Sequence, residues 1–343
     1  LNENIKILKV TGLKKYFPIK KGVFRKTVGY TKAVDDVSFF ARGEETLGLV
    51  GESGCGKSTT GRCIIRLLDP TAGKIELEKN GDYIDIARIE KNKLKNLRKD
   101  IQIVFQDPNS SLNSRMTVRD IVADPLKAHK IGTHQQRTEK VKDLLERVGL
   151  NSSQMDRYPH EFSGGQRQRV GVARALALNP RFIICDEPVS ALDVSVQAQV
   201  LNLFEDLQDE FGFTYLFIAH DLSVIEHISD RIMVMYLGKI VEVAPSNEIY
   251  MNPQHPYTEA LLGSIPDGDP HSTKVRKTFS GDVPDPSDPP PGCNLHPRCP
   301  YSSDYCRKVE PELKELPDHK DHYVNCHSAE ELNLEGYQKS QQV

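Results

Sequence analysis

No run of apolar residues in the 343-residue chain approaches the ~18 needed to cross a bilayer as a helix. Its first residues, LNENIKILKV, contain neither an apolar signal core nor a small-residue cleavage site, so export is not expected. A dominant charge is missing too. With 45 Lys and Arg against 48 Asp and Glu, the formal net charge is −3, which argues against a protein that coats nucleic acid. There is no internal repeat. Membrane association, if it exists, goes through a partner.

What is present is length for two or three domains and for a sizeable core. Up to about residue 245, short apolar runs alternate with amphipathic stretches. Strands are predicted at Ile5–Val10, Val34–Phe40, Thr46–Val50, Ile101–Phe105, Phe182–Asp186, Thr214–Ala219 and Arg231–Tyr236. Val141, Leu144, Leu145 and Val148, and Val196, Val200, Leu203, Phe204, Leu207 and Phe211, recur at the three- and four-residue spacing of a buried helical stripe. The alternation predicts an α/β core with a largely parallel sheet. Between Pro108 and Leu178 no strand is evident, so 108–178 reads as an inserted helical subdomain dividing a core of 1–107 and 179–245.

Gly51-Glu52-Ser53-Gly54-Cys55-Gly56-Lys57-Ser58-Thr59 fits G-x-x-x-x-G-K-[ST], after an apolar strand and before a predicted helix Ser58–Leu68. Its glycines let backbone N–H groups wrap phosphate oxygens, Lys57 neutralises the β- and γ-phosphates, and Ser58 joins a Mg²⁺ shell. Phe182-Ile183-Ile184-Cys185-Asp186-Glu187 is an apolar strand ending in two carboxylates. Asp186 is suited to hold Mg²⁺ through water, and Glu187, one residue on, to polarise the attacking water. Phe162-Ser163-Gly164-Gly165-Gln166 precedes a helical run, Arg167–Leu178, and offers a second anion-binding helix start.

That last motif, lying between the two Walker elements, resembles the signature of the ABC ATPases, with Phe162 in place of the usual Leu. The resemblance implies further roles: Tyr16 as the aromatic that stacks on adenine, Gln106 as the Q-loop residue touching Mg²⁺ and the attacking water, Ser190-Ala191-Leu192-Asp193 as the D-loop, and His220 as the switch histidine at the γ-phosphate. It also implies catalysis in trans, with Ser163, Gly164, Gly165 and Gln166 closing over ATP held by a facing chain. Soluble ABC ATPases fit less well, because the long coiled coils and the tandem cassettes of some of them are absent here. A transport motor is expected.

Ile249-Tyr250-Met251-Asn252-Pro253-Gln254-His255-Pro256-Tyr257-Thr258, then Ala260-Leu261-Leu262 and Ile265-Pro266, resemble the tail of oligopeptide/dipeptide importer ATPases. Pro290-Pro291-Gly292-Cys293 and His296-Pro297-Arg298-Cys299-Pro300 are similar to the cysteine-bearing segment that ends them. The early Phe17–Phe24 insertion is similar to their second ATPase subunit. The resemblance implies an ATP hydrolase on the cytoplasmic face of the membrane that powers di- or oligopeptide import. Its partners would be a homologous ATPase subunit or a second copy, two permease chains and, indirectly, an extracytoplasmic peptide-binding protein, with no nucleic acid. Nickel-importing relatives share much of the pattern, and a soluble non-transport ABC ATPase is the remaining alternative. The basic cluster Lys14, Lys15, Lys20, Lys21, Arg25 and Lys26 reads as a solvated face, with anionic lipid as the alternative.

Eleven of the 21 prolines fall after Ile265, which forbids long helix or central sheet there. Residues 246–328 are therefore expected to form a small loop-rich module in need of a staple, followed by a polar tail, 329–343. Cys293, Cys299, Cys306 and Cys326 are the candidates, spaced C-x5-C-x6-C-x19-C. Four thiolates can hold zinc or a [4Fe–4S] cluster. The wide gaps fit a cubane better than a zinc ribbon, and the resemblance points the same way. Zinc, and free or oxidised thiols, stay open.

Overall fold

A computed structural model of the chain describes residues 5–265, 279 and 281–337. Pro266, residues 338–343 of the polar tail and residues 1–4 of the expected core lie outside them. The described chain divides into two compact units, one of residues up to 7 with 41–45 and 88–219, the other of 8–40, 46–87 and 220–337.

The first unit holds three parallel strands, Ile101–Val104, Phe182–Asp186 and Thr214–Ile218, in that spatial order. Every residue of the latter two is buried, as an apolar run covered on both faces requires. Helices Val118–Ala128, His134–Arg147 and Gly164–Leu176 contact one another, and no strand occurs among the described residues from 108 to 178. Each of these helices opens on a hydroxyl cap, Thr117, Thr133 or Ser163, that accepts a backbone N–H from the first turn. The Ser163 cap starts the last helix at Gly164, three residues before the apolar stripe announces it.

In the second unit an antiparallel sheet runs in the order Lys26–Arg42, Lys6–Lys21, Ala72–Lys79, Asp82–Asp85. The first two strands are far longer than expected. They form a hairpin carrying the basic cluster, with Val23 and Phe24 exposed at its turn. A second set of strands places Thr46–Val50 parallel to Arg231–Tyr236, and Lys239–Pro245 antiparallel to the latter. Among the described residues the proline-rich end adds only two-residue strands, Tyr323–Val324 on Lys239–Pro245 and then Lys314–Glu315. A small cluster of Leu316, Val324 and Ala329, with Cys326 against it, holds this end together.

The His255-Pro256-Tyr257-Thr258 motif begins the helix Pro256–Gly263: Nδ1 of His255 accepts the N–H of Tyr257, and Pro256 takes the first-turn position that needs no donor. Burial holds His255 neutral, pushing its pKa down to about 3. The unfolded chain, with an ordinary histidine near ~6.5, therefore takes up the extra proton first. Stability from this residue is whole above pH ~6.5 and is lost progressively as pH falls toward about 3. The unfolding midpoint should drop across that window. In His255→Asn, which keeps a capping acceptor, the drop should be shallower.

Candidate active site

The phosphate loop lies between the buried strand Thr46–Val50 and the helix Lys57–Ile64. That helix ends four residues sooner than expected, because Arg66 takes a left-handed conformation (φ 54°) just beyond its cap. Gly56 caps its start at φ 112°, and a Cβ there would stand 2.1 Å from the carbonyl oxygen of Ala33. No other residue fits. Lys57 is 4% exposed, and its Nζ donates to the carbonyls of Gly51 at 2.7 Å and Glu52 at 3.1 Å. Ser53 and Gly54 are exposed, while Ser58 and Thr59 are half-buried on the first helical turn. A loop of this shape, with exposed backbone at its crown and an ammonium beneath, fits a polyphosphate. Burial pushes the Cys55 thiol up, which keeps it protonated and leaves it a spacer.

The tail buttresses this loop. The Tyr257 hydroxyl accepts the N–H of Glu52 at 2.9 Å, and the Arg298 guanidinium grips the Glu52 carboxylate through both terminal nitrogens, at 3.2 and 3.3 Å. Tyr257 and Arg298 both stand in motifs that mark the tail, yet neither contact is visible in spacing. The Glu52 side chain is 31% exposed, so solvent screens much of the pair. Arg298→Ala should raise KM for ATP by roughly three- to tenfold with kcat nearly unchanged, as steady-state kinetics would read.

Tyr16 donates its hydroxyl to Asp35. Burial and then this bond push the Tyr16 phenol well up. Burial works against the Asp35 charge, but the Tyr16 hydroxyl and the Lys239 ammonium, 3.5 Å away, outweigh it and hold the carboxyl below the usual range. Asp35 thus fixes the Tyr16 hydroxyl, a contact that sequence reading missed. His220 lies in this unit as well, exposed, just after Ala219.

In the other unit Asp186 is buried at the end of its strand. Glu187 follows at φ 47°, a left-handed conformation that costs a non-glycine residue about 1 kcal/mol or more and that collects at functional sites. Its N–H donates to the Ile218 carbonyl, and its Oε2 accepts Nε2 of Gln106 at 2.8 Å. The expected water-polarising carboxylate and the expected Q-loop glutamine are therefore in direct contact. Exposed Ser163 and Gly164 open the signature helix, Gly165 is buried against Val196, and Gln166 closes a capping box by accepting the Ser163 N–H at 3.0 Å. Phe162 is buried, so the larger ring in place of Leu is absorbed by packing. Asp193 of the expected D-loop takes the N-cap position of helix Val194–Phe211, where its backbone carbonyl, not its side chain, accepts first-turn N–H groups.

Cys293, Cys299, Cys306 and Cys326 line one small cavity. Gly292 (φ 70°) lets two of their segments meet: Cys293 N–H donates to the Cys306 carbonyl at 2.8 Å, and a Cβ on Gly292 would come within 2.4 Å of that oxygen. Four sulfurs around one cavity are a donor set that zinc and an iron–sulfur cluster could both use. Burial pushes the Cys299 and Cys326 thiols up, to about 11 and about 12, so a bound cation is what would make them thiolates.

Residues 34–190 match the family model described as ABC transporter, and residues 241–306 match that of the oligopeptide/dipeptide transporter C-terminal region. The chain is 55% identical over 324 residues to the oligopeptide transport ATP-binding protein AppF of Bacillus subtilis, covering 94% of this chain and 97% of that one. It is 49% identical over 320 residues to the dipeptide transport ATP-binding protein DppF of Haemophilus influenzae, covering 93% and 96%. Among solved structures, the dimeric post-hydrolysis state of the ATP-binding cassette MJ0796 bound to ADP and phosphate superposes with a TM-score of 0.61 at 28% identity, over 70% of this chain and 98% of that one.

Proposed function

Because the chain belongs to the oligopeptide/dipeptide branch of the ABC transporter ATP-binding proteins, and is an ATP hydrolase, we propose that it powers import of di- or oligopeptides through a membrane permease. The observation that carries the cargo assignment is the match of the C-terminal region, since the nucleotide motifs are common to every ABC ATPase. Among the described residues no helix is long and apolar enough to cross a membrane; the place proposed for the chain, from its family, is peripheral beneath permease chains on the cytoplasmic face.

The proposed roles rest on the family resemblance, and contacts within each unit support several of them. Tyr16, steadied by Asp35, stacks on adenine, while Gly51, Ser53, Gly54, Cys55, Gly56 and Thr59 form the wall around the phosphates. Lys57 meets the β- and γ-phosphates as a compact positive charge. Ser58, Gln106 and Asp186 would hold Mg²⁺, which neutralises charge on the phosphates. Glu187, with its carboxylate oriented by Gln106, accepts a proton from the attacking water, and His220 senses the γ-phosphate. Ser163, Gly164, Gly165 and Gln166 serve the ATP of a facing ATPase subunit, a homologue or a second copy. The proposed division of the chain is a core of 1–107 and 179–245, a helical subdomain 108–178, a cysteine-bearing end 246–328 and a polar tail 329–343.

Cys293, Cys299, Cys306 and Cys326 would hold a [4Fe–4S] cluster as a staple of the loop-rich end, with zinc as the alternative. Anaerobic purification should yield about four irons with matching sulfide per chain; one zinc and no iron would replace the cluster with a colourless staple.

The cargo is tested by reconstituting the chain with its permease. ATP hydrolysis should rise when the extracytoplasmic binding protein is loaded with peptide. Stimulation by nickel and not by peptide would overturn the assignment in favour of the nickel-importing relatives.

A further inference from the structure

One polar cluster shares no residue with the nucleotide motifs or the four cysteines. Glu248, on helix Ser246–Met251, and His319 and His322, on one tight turn, each bring a ligand atom to within 4.8 Å of the others'. The turn is closed by the His322 N–H donating to the His319 carbonyl at 3.2 Å, so both imidazoles project from one short segment. His322 is wholly buried. Its Nε2 is 2.7 Å from Oε1 of Glu242, and its Nδ1, equally buried, has no hydrogen-bond partner.

We propose that Nδ1 of His322, His319 and Glu248 bind one divalent transition-metal ion of the zinc type. Three features converge on this. First, a buried nitrogen without a partner, such as Nδ1 of His322, is expensive in a protein interior, and a metal ion satisfies it. Second, the Glu242–His322 pair is the carboxylate–histidine arrangement that fixes the ring of a metal ligand and raises its basicity. Glu242 is itself held rigidly, because its carboxylate accepts the N–H of Gln254 at 2.7 Å and of His255 at 3.1 Å.

Third, the spacing suits an ion better than a direct pair. Nδ1 of His319 stands 4.0 Å from Oε2 of Glu248, too far for a hydrogen bond. Donors at ~2.0–2.2 Å from a shared zinc lie about 3.4 Å apart, so the His319–Glu248 pair closes by about 0.6 Å and no pair of the three by more than about 1.4 Å. Two imidazoles and one carboxylate select zinc and its neighbours over Mg²⁺ and Ca²⁺, which prefer oxygen alone. Three protein ligands leave a fourth position for water. The ion would join the terminal turn to the helix after Pro245 and clamp the end of the chain beside the strand that carries Glu242.

The full-length protein, with its cysteines intact, tests this. Co²⁺ serves as the zinc probe because its spectrum separates nitrogen and oxygen ligation from thiolate. Beyond whatever the four cysteines hold, the wild type should take up one Co²⁺ with weak visible bands and no thiolate charge transfer of its own, and keep it when the cysteines are alkylated. His319→Ala and Glu248→Gln, at side chains that are 42% and 29% exposed, should fold normally, keep basal ATP hydrolysis, and bind that ion at least ~10-fold more weakly. Zn²⁺ should compete with Co²⁺ for the site. Unchanged stoichiometry and affinity in both variants would overturn the proposal. So would loss of all Co²⁺ uptake when the cysteines are alkylated.

Discussion

Glu187→Gln should bind ATP with near-normal affinity and hydrolyse it at least ~100-fold more slowly, the loss typical of a removed base or water-orienting group. The substitution is a clean one here. The amide oxygen of glutamine can still accept Nε2 of Gln106, which now lies 2.8 Å from the Glu187 carboxylate, so the pair keeps its geometry. Gln and Glu tolerate the left-handed backbone at φ 47° equally, and stability should change by less than ~0.5 kcal/mol. What disappears is the negative charge that takes up the proton. Single-turnover hydrolysis beside equilibrium ATP binding separates the two effects, and normal turnover would remove Glu187 from its role. Gln106→Ala should give a smaller loss, because it removes only the orienting donor.

Lys57→Ala should act earlier, at binding. The ammonium makes charge-assisted bonds worth about 1.5–3 kcal/mol each, so its removal should weaken ATP binding by ~10- to 100-fold or more. The same variant leaves the Gly51 and Glu52 carbonyls without their donor, which should also lower the unfolding midpoint of the nucleotide-free protein. Lys57→Arg is the informative control. It keeps the charge, but a planar fork does not fit a site that takes a compact ammonium at 4% exposure, so most of the affinity should still be lost. ATP binding by titration calorimetry reads all three chains on one scale.

The sequence made some elements legible and hid others for physical reasons. Thr46–Val50, Phe182–Asp186 and Arg231–Tyr236 lie where uninterrupted apolar runs placed them, since strands buried on both faces must be apolar throughout. The hairpin Lys6–Lys21 and Lys26–Arg42 extends far beyond its apolar part, because its outer half is exposed and lysine-rich and gives no period of two. Ala72–Lys79, Asp82–Asp85 and Lys239–Pro245 escaped notice through the same mixture of charge and short apolar stretches, and two-residue strands leave no pattern at all.

The candidate site divides in the same way. Contiguous motifs announced Lys57, Asp186, Glu187 and Ser163, because backbone geometry forces those residue types close together in sequence. Partners distant in sequence were invisible. Arg298 and Glu52 are 246 positions apart, and Asp35 carries no motif that links it to Tyr16. The Glu242–His322 pair spans 80 positions and belongs to no pattern.

The most direct measurement is uptake of a labelled oligopeptide by source cells in which this chain is replaced by Glu187→Gln. Uptake should fall to background while the altered chain remains associated with the membrane, and the wild-type chain should restore it. Undiminished peptide uptake with the altered chain in place would contradict the account.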